Sequence, residues 1–310
     1  MVTTIELDST PETSIDYYSA DLPAVATVAP GDTLLVHTLD ANGHTVRQGT
    51  PGEEVPMLIP GGRGHCLVGP IAVEGAVPGM TLAITIRSLR PDAWGFTSAG
   101  KADTPLNRRL GIVDPASLLW DIDADAARAT SNLGHTVGLA PFLGVIGVAP
   151  EPTGEHSTIP PRTVGGGNID CRELVAGSTL FLPIAVPGAL LWVGDGHAAQ
   201  GDGEVGGTAI ECGMTSELVV DVVSDAALDV IHAVTPAGRI TFGFDADLNE
   251  ATAQALDGMI AWMQQLYAIG KSEALALASV VVSMRVTQVA NQTWGVHALL
   301  PNGAVDQLAT

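Results

Sequence analysis

Glycine and proline divide this chain so often that long uninterrupted elements fit in only one part of it. There are 36 glycines and 20 prolines in 310 residues, roughly 18% where average usage is roughly 12%. Glycine loses the most backbone freedom inside a helix, and proline removes a donor there. This density therefore excludes an all-helical bundle and favours short strands joined by turns. Over residues 23–86 the apolar residues come in bursts, AVATV, TLLVHTL, VPMLI, CLVGPIAV and MTLAITI, each bounded by Gly, Pro, Asp or Asn. Alternation over residues 81–86 predicts a half-buried strand, and EGAVPG at 74–79 predicts the turn before it. The pattern predicts a run of antiparallel strands. Residues 99–140 carry no such pattern and read as a long excursion.

A second β stretch begins near Thr163 and continues through TLFLPIAV, ALLWVG, ELVVDVV, LDVIHAVT and RITFGF. Then the punctuation stops. Over residues 248–269, Ala255, Met259, Trp262, Met263, Leu266 and Ile269 recur at three-and-four spacing, which predicts a long amphipathic helix capped at its C-terminus by Gly270. A second helix is expected from Ser272-Glu273 to about residue 283, followed by a return to strand in VTQVA and WGVHALLP. The expected fold class is α+β: a β-rich layered sandwich or barrel core with a C-terminal helix pair packed on one side. Residues 1–310 read as a single domain, with an N-terminal β subregion 1–150 and a subregion 151–310 that carries the chemistry.

Charge narrows the partners. Thirteen Lys and Arg face 34 Asp and Glu, a net charge of −21, and only Lys101 and Lys271 are lysines. A nucleic-acid groove or an anionic membrane surface needs clustered cations, so neither partner is expected. The most apolar run, residues 180–193, is broken by Pro183, Pro187 and Gly188 and is too short for a bilayer. Cys66, Cys171 and Cys212 are scattered without a CxxC spacing, which suits a reduced chain better than a disulfide framework. The N-terminus carries acids where a secretory signal carries Lys or Arg, and a cytoplasmic location is expected.

The chemistry concentrates in GDGHAAQGDGE, residues 194–204. Asp195 and His197 are two apart, and in an extended backbone they point the same way; Asp202 and Glu204 repeat the relation. Carboxylates gathered this closely repel one another unless a cation or a shared proton neutralises them. Histidine with Asp or Glu suits zinc or a neighbouring first-row ion. The same residue types also fit a glycine-rich surface turn with solvated acids. Upstream, GGGNIDC at 165–171 aims Asn168 and Asp170 in one direction, and it also fits a hairpin turn. His65 opens a predicted strand, where a ligand role and a structural role both fit. The remaining histidines, His297 among them, read as structural, and Cys171 and Cys212, beside the clusters, fit buried packing as well as a nucleophilic thiol. No calcium-loop spacing, phosphate loop or Gly-x-Ser-x-Gly elbow is present.

Taken together, GGGNIDCREL and LFLPIAVPGALLWVGDGHAAQGDGEVGGTAIE, within residues 165–211, resemble the acetamidase/formamidase family of amidohydrolases. GHCLVGPIAVEGAVPGMTLAITI, PFLGVIGVAP, RITFGFDADLNEAT and TQVANQTWGVHALLP extend the resemblance along most of the chain in the family's order. The resemblance implies hydrolysis of a small neutral amide, formamide or acetamide, to ammonia and a carboxylate. It also implies dependence on a divalent metal ion, zinc first, with calcium or another divalent ion as alternatives, a homo-oligomer, and a β-rich fold with helices outside. On donor type and crowding, Asp195 and His197 are assigned as metal ligands, with His65 and Asn168 or Asp170 completing the shell. Glu204 is assigned as general acid/base, and Asp202 as ligand or orienter. The chain departs from the family at Gly206, where a Cys is usual. That departure keeps open a non-catalytic metal- or small-molecule-binding β protein, or a hydrolase of another C–N bond in a larger amide or cyclic imide.

Overall fold

The computed structural model describes residues 3–101 and 104–306. Strands dominate, and hydrogen bonds link them into an extensive layered network that does not close into a barrel. The long Thr81–Ala99 strand is the spine of one layer. It pairs antiparallel with Glu211–Val223, from Glu211 opposite Phe96 to Val223 opposite Thr81, with register shifts between Cys212 and Met214 and between Glu217 and Leu218. Glu211–Val223 in turn pairs with Thr33–Thr38. Leu191–His197 lies between Phe142–Val148 and Leu67–Val73. Both it and Phe142–Val148 are buried at every residue, as a near-continuous apolar run must be when both faces of a strand are covered.

The order of pairing differs from a simple antiparallel run. Leu67–Val73 and Thr81–Ala99 are joined by the predicted turn, yet each takes its partners from elsewhere in the chain. Among the described strands, two pairings are parallel, Thr4–Asp8 with Thr33–Thr38 and Ala26–Val28 with Leu67–Val73. The VPMLI segment forms no strand; only Met57 is bridged, to His44, because Pro56 lacks the N–H a ladder needs. The 99–140 excursion is more regular than its sequence suggests. It holds a short helix, α1 (Pro105–Leu110), and the strands Ala116–Asp123, Arg128–Ser131 and Thr136–Gly138, which extend the end of the long strand as an antiparallel meander. Residues 102 and 103 of that stretch lie outside the described residues.

The helix pair comes as expected: α2 (Leu248–Tyr267) and α3 (Lys271–Val281) pack on one side of the strands Gly238–Asp245 and Trp294–Pro301. The Asp247 side chain caps α2 by accepting from the Asn249 N–H. Its C-terminal cap is not Gly270 but Ala268, at φ 53°, while Gly270 at φ −72° begins α3. The connection is too short for one residue to end the first helix two positions later and also start the second. Ala251, Ala255, Met259 and Met263 of α2 are buried against Val296, Ala298 and Leu300. No helix among the described residues is long and apolar enough to cross a membrane.

Met259 is fully buried at this helix–sheet contact. Met259→Ala should destabilise the protein by about 2–5 kcal/mol, whereas Gln265→Ala on the exposed face of α2 should stay within about 0.5 kcal/mol. Chemical denaturation midpoints of the two variants test the packing assignment.

Candidate active site

Four strands and one loop bring the acids of the glycine-rich segments together. His197 ends the Leu191–His197 strand directly opposite Glu211, the first residue of the next long strand. Asp195 lies two residues earlier, and the facing strand carries Gly144. A Cβ at Gly144 would lie 2.5 Å from Asp195 Oδ2, 2.8 Å from Asp170 Oδ1 and 2.8 Å from His197 Cε1. Only a residue without a side chain leaves room for these three groups at once. The Gly144 carbonyl also accepts from the Ile169 N–H at 2.9 Å and the Asp170 N–H at 3.2 Å, which fixes the segment that delivers Asp170.

The backbone bends sharply at three of the acids. Asp170, Asp195 and Glu204 have φ of 54°, 59° and 43°, so three of the seven described non-glycine residues with positive φ are site carboxylates. Such conformations cost about 1–3 kcal/mol each and persist where surrounding contacts enforce them. For Glu204 those contacts are visible: Gly203 donates to the Thr287 carbonyl at 3.0 Å and its own carbonyl accepts from Val289 at 2.8 Å. The loop is thereby pinned to the Ser283–Gln288 strand.

Polar accounting shows what the centre lacks. Gln200 Nε2 donates to the Asp170 carbonyl at 2.8 Å, so its Oε1, 2.9 Å from His197 Nδ1, accepts the Nδ1 proton. That leaves Nε2 of a neutral His197 with a free lone pair, 3.4 Å from Asp195 Oδ1 and 3.2 Å from Glu211 Oε2. His197 Nε2, Glu211 Oε2 and both carboxylate oxygens of Asp170 are buried without hydrogen-bond partners. Asp170, Asp195 and His197 offer ligand atoms within 4.8 Å of one another, and so do His197, Glu204 and Glu211. Buried polar groups in this state carry a large desolvation penalty, and a cation among them would relieve it. The residues therefore fit a divalent metal ion.

The protonation of the centre follows from the same crowding. Burial raises the Glu211 carboxyl to about 7, against relief from His197 and a further push from Asp195. Burial, then mutual repulsion, also raises Asp170 and Glu204 well above the usual carboxylate range. Asp195 is the exception. Burial would raise it, but the His197 and His65 imidazoles outweigh burial and hold it below that range. Burial opposes charge on His197, and Glu211 and Asp195 overcome this to raise it.

The predicted residues divide cleanly. Asp170, Asp195, His197 and Glu204 meet in the centre. His65 lies at its edge, with Nε2 3.9 Å from Asp195 Oδ2 and Nδ1 3.0 Å from Thr158 Oγ1. Asn168 donates from Nδ2 to the Ile159 carbonyl at 2.9 Å and leaves its buried Oδ1 without a partner. Asp202 does not join the centre. Gly203 at φ 98° and Glu204 at φ 43° break the extended geometry that would have aligned residues 202 and 204. Asp202 instead faces Arg285 at 3.6 Å, with a third of its side chain exposed. Two residues were not singled out from the sequence. Glu211 is a lone acid in the apolar run AIEC, a signal of a buried charge, and Gln200 lies inside GDGHAAQGDGE.

A cavity of about 360 Å³ opens onto this centre, with Asp195, Glu204, Glu211, His65 and Asn168 in its wall. Gly206 also lines it. A Cβ there would meet Ala99 Cβ at 3.4 Å and the Ser98 carbonyl at 3.5 Å, ordinary contacts that leave space for a small side chain.

A buried imidazole–carboxylate centre at the base of a small-molecule cavity, on an open β scaffold, is the construction of an enzyme rather than of a binding surface. The pattern of the Acetamidase/Formamidase family matches residues 4–157 and 152–306; the chain belongs to this family and is, with it, an amidohydrolase. The crystal structure of an acetamidase from Bacillus halodurans superimposes with a TM-score of 0.86 at 26% identity, covering 96% of this chain and 97% of that one. An acetamidase from Yersinia enterocolitica does so at 0.83 and 25% identity, covering 98% and 94%. An acetamidase of Mycolicibacterium smegmatis is 26% identical over 264 residues, a match spanning 66% of this chain and 64% of that relative's length.

Gly144→Ala should lower kcat/KM for amide hydrolysis by about 100-fold, the scale of an ångström-sized misplacement of reacting groups, with little change in far-ultraviolet circular dichroism. Wild-type activity in this variant would remove Gly144 from the account. A second expectation concerns pH. In chelator-treated protein, Glu211, Asp170, Glu204 and His197 all hold protons more tightly folded than unfolded. Wherever the unfolded chain binds fewer protons than the folded one, stability falls as pH rises. The opposite contribution of Asp195 is complete above the ordinary carboxylate range. Burial lowers His65, His232 and His297, whose opposing contributions are complete above the ordinary imidazole range. The melting temperature of the metal-free protein should therefore fall between about pH 6.5 and 8, and a rise over that interval would contradict the assignment.

Proposed function

We propose that this protein hydrolyses a short-chain aliphatic amide, formamide or acetamide, to ammonia and the carboxylate. The observation that supports this most strongly is the convergence of Asp170, Asp195, His197, Glu204 and Glu211, with orphaned buried donor atoms, beside a cavity. An amide is a poor electrophile with a poor leaving group, so the carbonyl must be polarised, water activated, and the departing nitrogen protonated. Asp170, Asp195, His197 and Glu211 would hold a divalent cation, zinc by donor type, with calcium or another divalent ion as alternatives. When bound, such an ion polarises a carbonyl and lowers the pKa of water.

The chain's own groups do the rest. Glu204 lies in the cavity wall, its carboxyl raised by burial and by Asp170, which makes its ionised form a stronger base. It accepts the proton of the attacking water and returns it to the leaving nitrogen. Gln200 keeps His197 in the tautomer with Nε2 free. The unpartnered Oδ1 of Asn168 accepts from the N–H of the substrate amide. His65 keeps Asp195 ionised. The net −21 charge suits a neutral substrate. Residues 1–310 act as one unit, assembled as a homo-oligomer, as the family resemblance implies. Its three free, buried cysteines suit the cytoplasm.

One observation favours a second reading. A cavity of about 360 Å³ exceeds what formamide fills, so a longer amide or a cyclic imide is the competing substrate class. Ammonia release from formamide, acetamide, longer amides and a cyclic imide, each with and without chelator, separates the two readings. Activity confined to the short amides and abolished by chelation is the expected result. Glu204→Gln should reduce kcat by about 10²–10⁴-fold while bound metal, measured by mass spectrometry, stays unchanged. Full turnover in that variant would refute the role.

A further inference from the structure

A separate group of buried donors shares no residue with the catalytic centre. Cys171, Glu173 and His297 offer Sγ, a carboxylate oxygen and a ring nitrogen within 4.8 Å of one another. Cys171 Sγ lies 3.4 Å from Glu173 Oε2, and His297 Nε2 lies 3.4 Å from the same oxygen. Cys171 and His297 are wholly buried and Glu173 is 9% exposed. Bonds of about 2.3 Å to sulfur and about 2.0–2.2 Å to nitrogen or oxygen, set at tetrahedral angles, require donor–donor edges of roughly 3.4–3.6 Å. Both observed edges meet that requirement.

The histidine supplies independent support. His297 Nδ1 lies 2.8 Å from Thr287 Oγ1, which holds the ring, while buried Nε2 has no hydrogen-bond partner. An imidazole tethered at one nitrogen, with the other turned toward a thiol and a carboxylate, is held as metal-ligating histidines are held. Charge agrees. Arg285 Nη1 binds the other Glu173 oxygen, Oε1, at 2.6 Å and lies 3.6 Å from Asp202 Oδ2. A divalent cation plus Arg285 balances a Cys171 thiolate, Glu173 and Asp202 to zero. With a neutral thiol and no ion, the same group carries an excess negative charge.

We propose that Cys171, Glu173 and His297 form a second, structural cation site that takes zinc or another thiophilic divalent ion. Binding forms a sulfur–metal bond and releases the Cys171 proton to solvent, with no change of oxidation state. The site would tie together parts that the catalytic centre needs fixed. Cys171 follows Asp170 in the chain, and His297 lies directly opposite Arg285 in the ladder between Ser283–Gln288 and Trp294–Pro301. The same Ser283–Gln288 strand holds Gly203, next to Glu204.

Cobalt(II) titration of the metal-stripped full chain tests the proposal. Thiolate ligation gives cobalt a charge-transfer band in the near ultraviolet, which oxygen and nitrogen ligands alone do not. Among the described residues, neither Cys66 nor Cys212 falls in a three-donor cluster, so the band reports this site and is independent of the catalytic reading. The expected result is a band that saturates by two equivalents of added cobalt, one for each cation site, and is lost in Cys171→Ser, weakened in His297→Gln and retained in Cys66→Ser. Zinc content of the purified protein should fall by one equivalent in Cys171→Ser. A wild-type titration with no such band overturns the proposal, whether or not the variants fold, and so does a band that survives Cys171→Ser.

Discussion

Four buried carboxylates around His197 are the constraint on which the rest of this structure turns. Asp170, Asp195, Glu204 and Glu211 are each less than 9% exposed, and like charges at such range in a low-dielectric interior cannot all be ionised without a compensating cation or shared protons. The fold does not avoid this crowding; it enforces it. Left-handed backbone at three of the four acids and the missing side chain at Gly144 are what a chain must accept to bring them within reach of one another. Strain of this kind is held by rigid surroundings, and here the surroundings are two strands buried at every residue, with a loop pinned by backbone hydrogen bonds.

The scaffold explains why the centre can be so demanding. The acids come from segments 41 residues apart, Asp170 to Glu211, and the strands that carry them pair with partners from the first third of the chain. The second half of the chain therefore cannot set its site geometry alone. The C-terminal hairpin contributes as well, because the Ser283–Gln288 strand positions Gly203 and carries Arg285, the partner of Glu173 and Asp202. The helix pair adds no residue to the centre. It covers the outer face of that hairpin and keeps it in place.

What was legible in the sequence was whatever depends on local pattern. Apolar bursts between turn residues located most strands, the three-and-four spacing located α2, and the run GDGHAAQGDGE marked the site and, by resemblance, the family. Asp195 and His197 do meet, as extended-strand alternation expects, although Asp195 at φ 59° is not itself extended. The alternation failed for Asp202, where Gly203 and Glu204 turn the chain. Glu211 escaped because one acid in an apolar run looks like many others until its strand is known to begin opposite His197. His297, read as an unremarkable structural histidine, proved to carry an orphaned nitrogen beside a thiol and a carboxylate.

The sequence by itself determined the class of fold, the positions of most elements and the residues from which a site could be made, because turn chemistry and hydrophobic period act over a few residues. Only the tertiary structure decided which acids face one another, which one is diverted to Arg285, and which histidine nitrogen is left free. Those outcomes depend on strand partners tens or hundreds of residues away and on ångström-scale space, such as that left at Gly144, which no local pattern encodes.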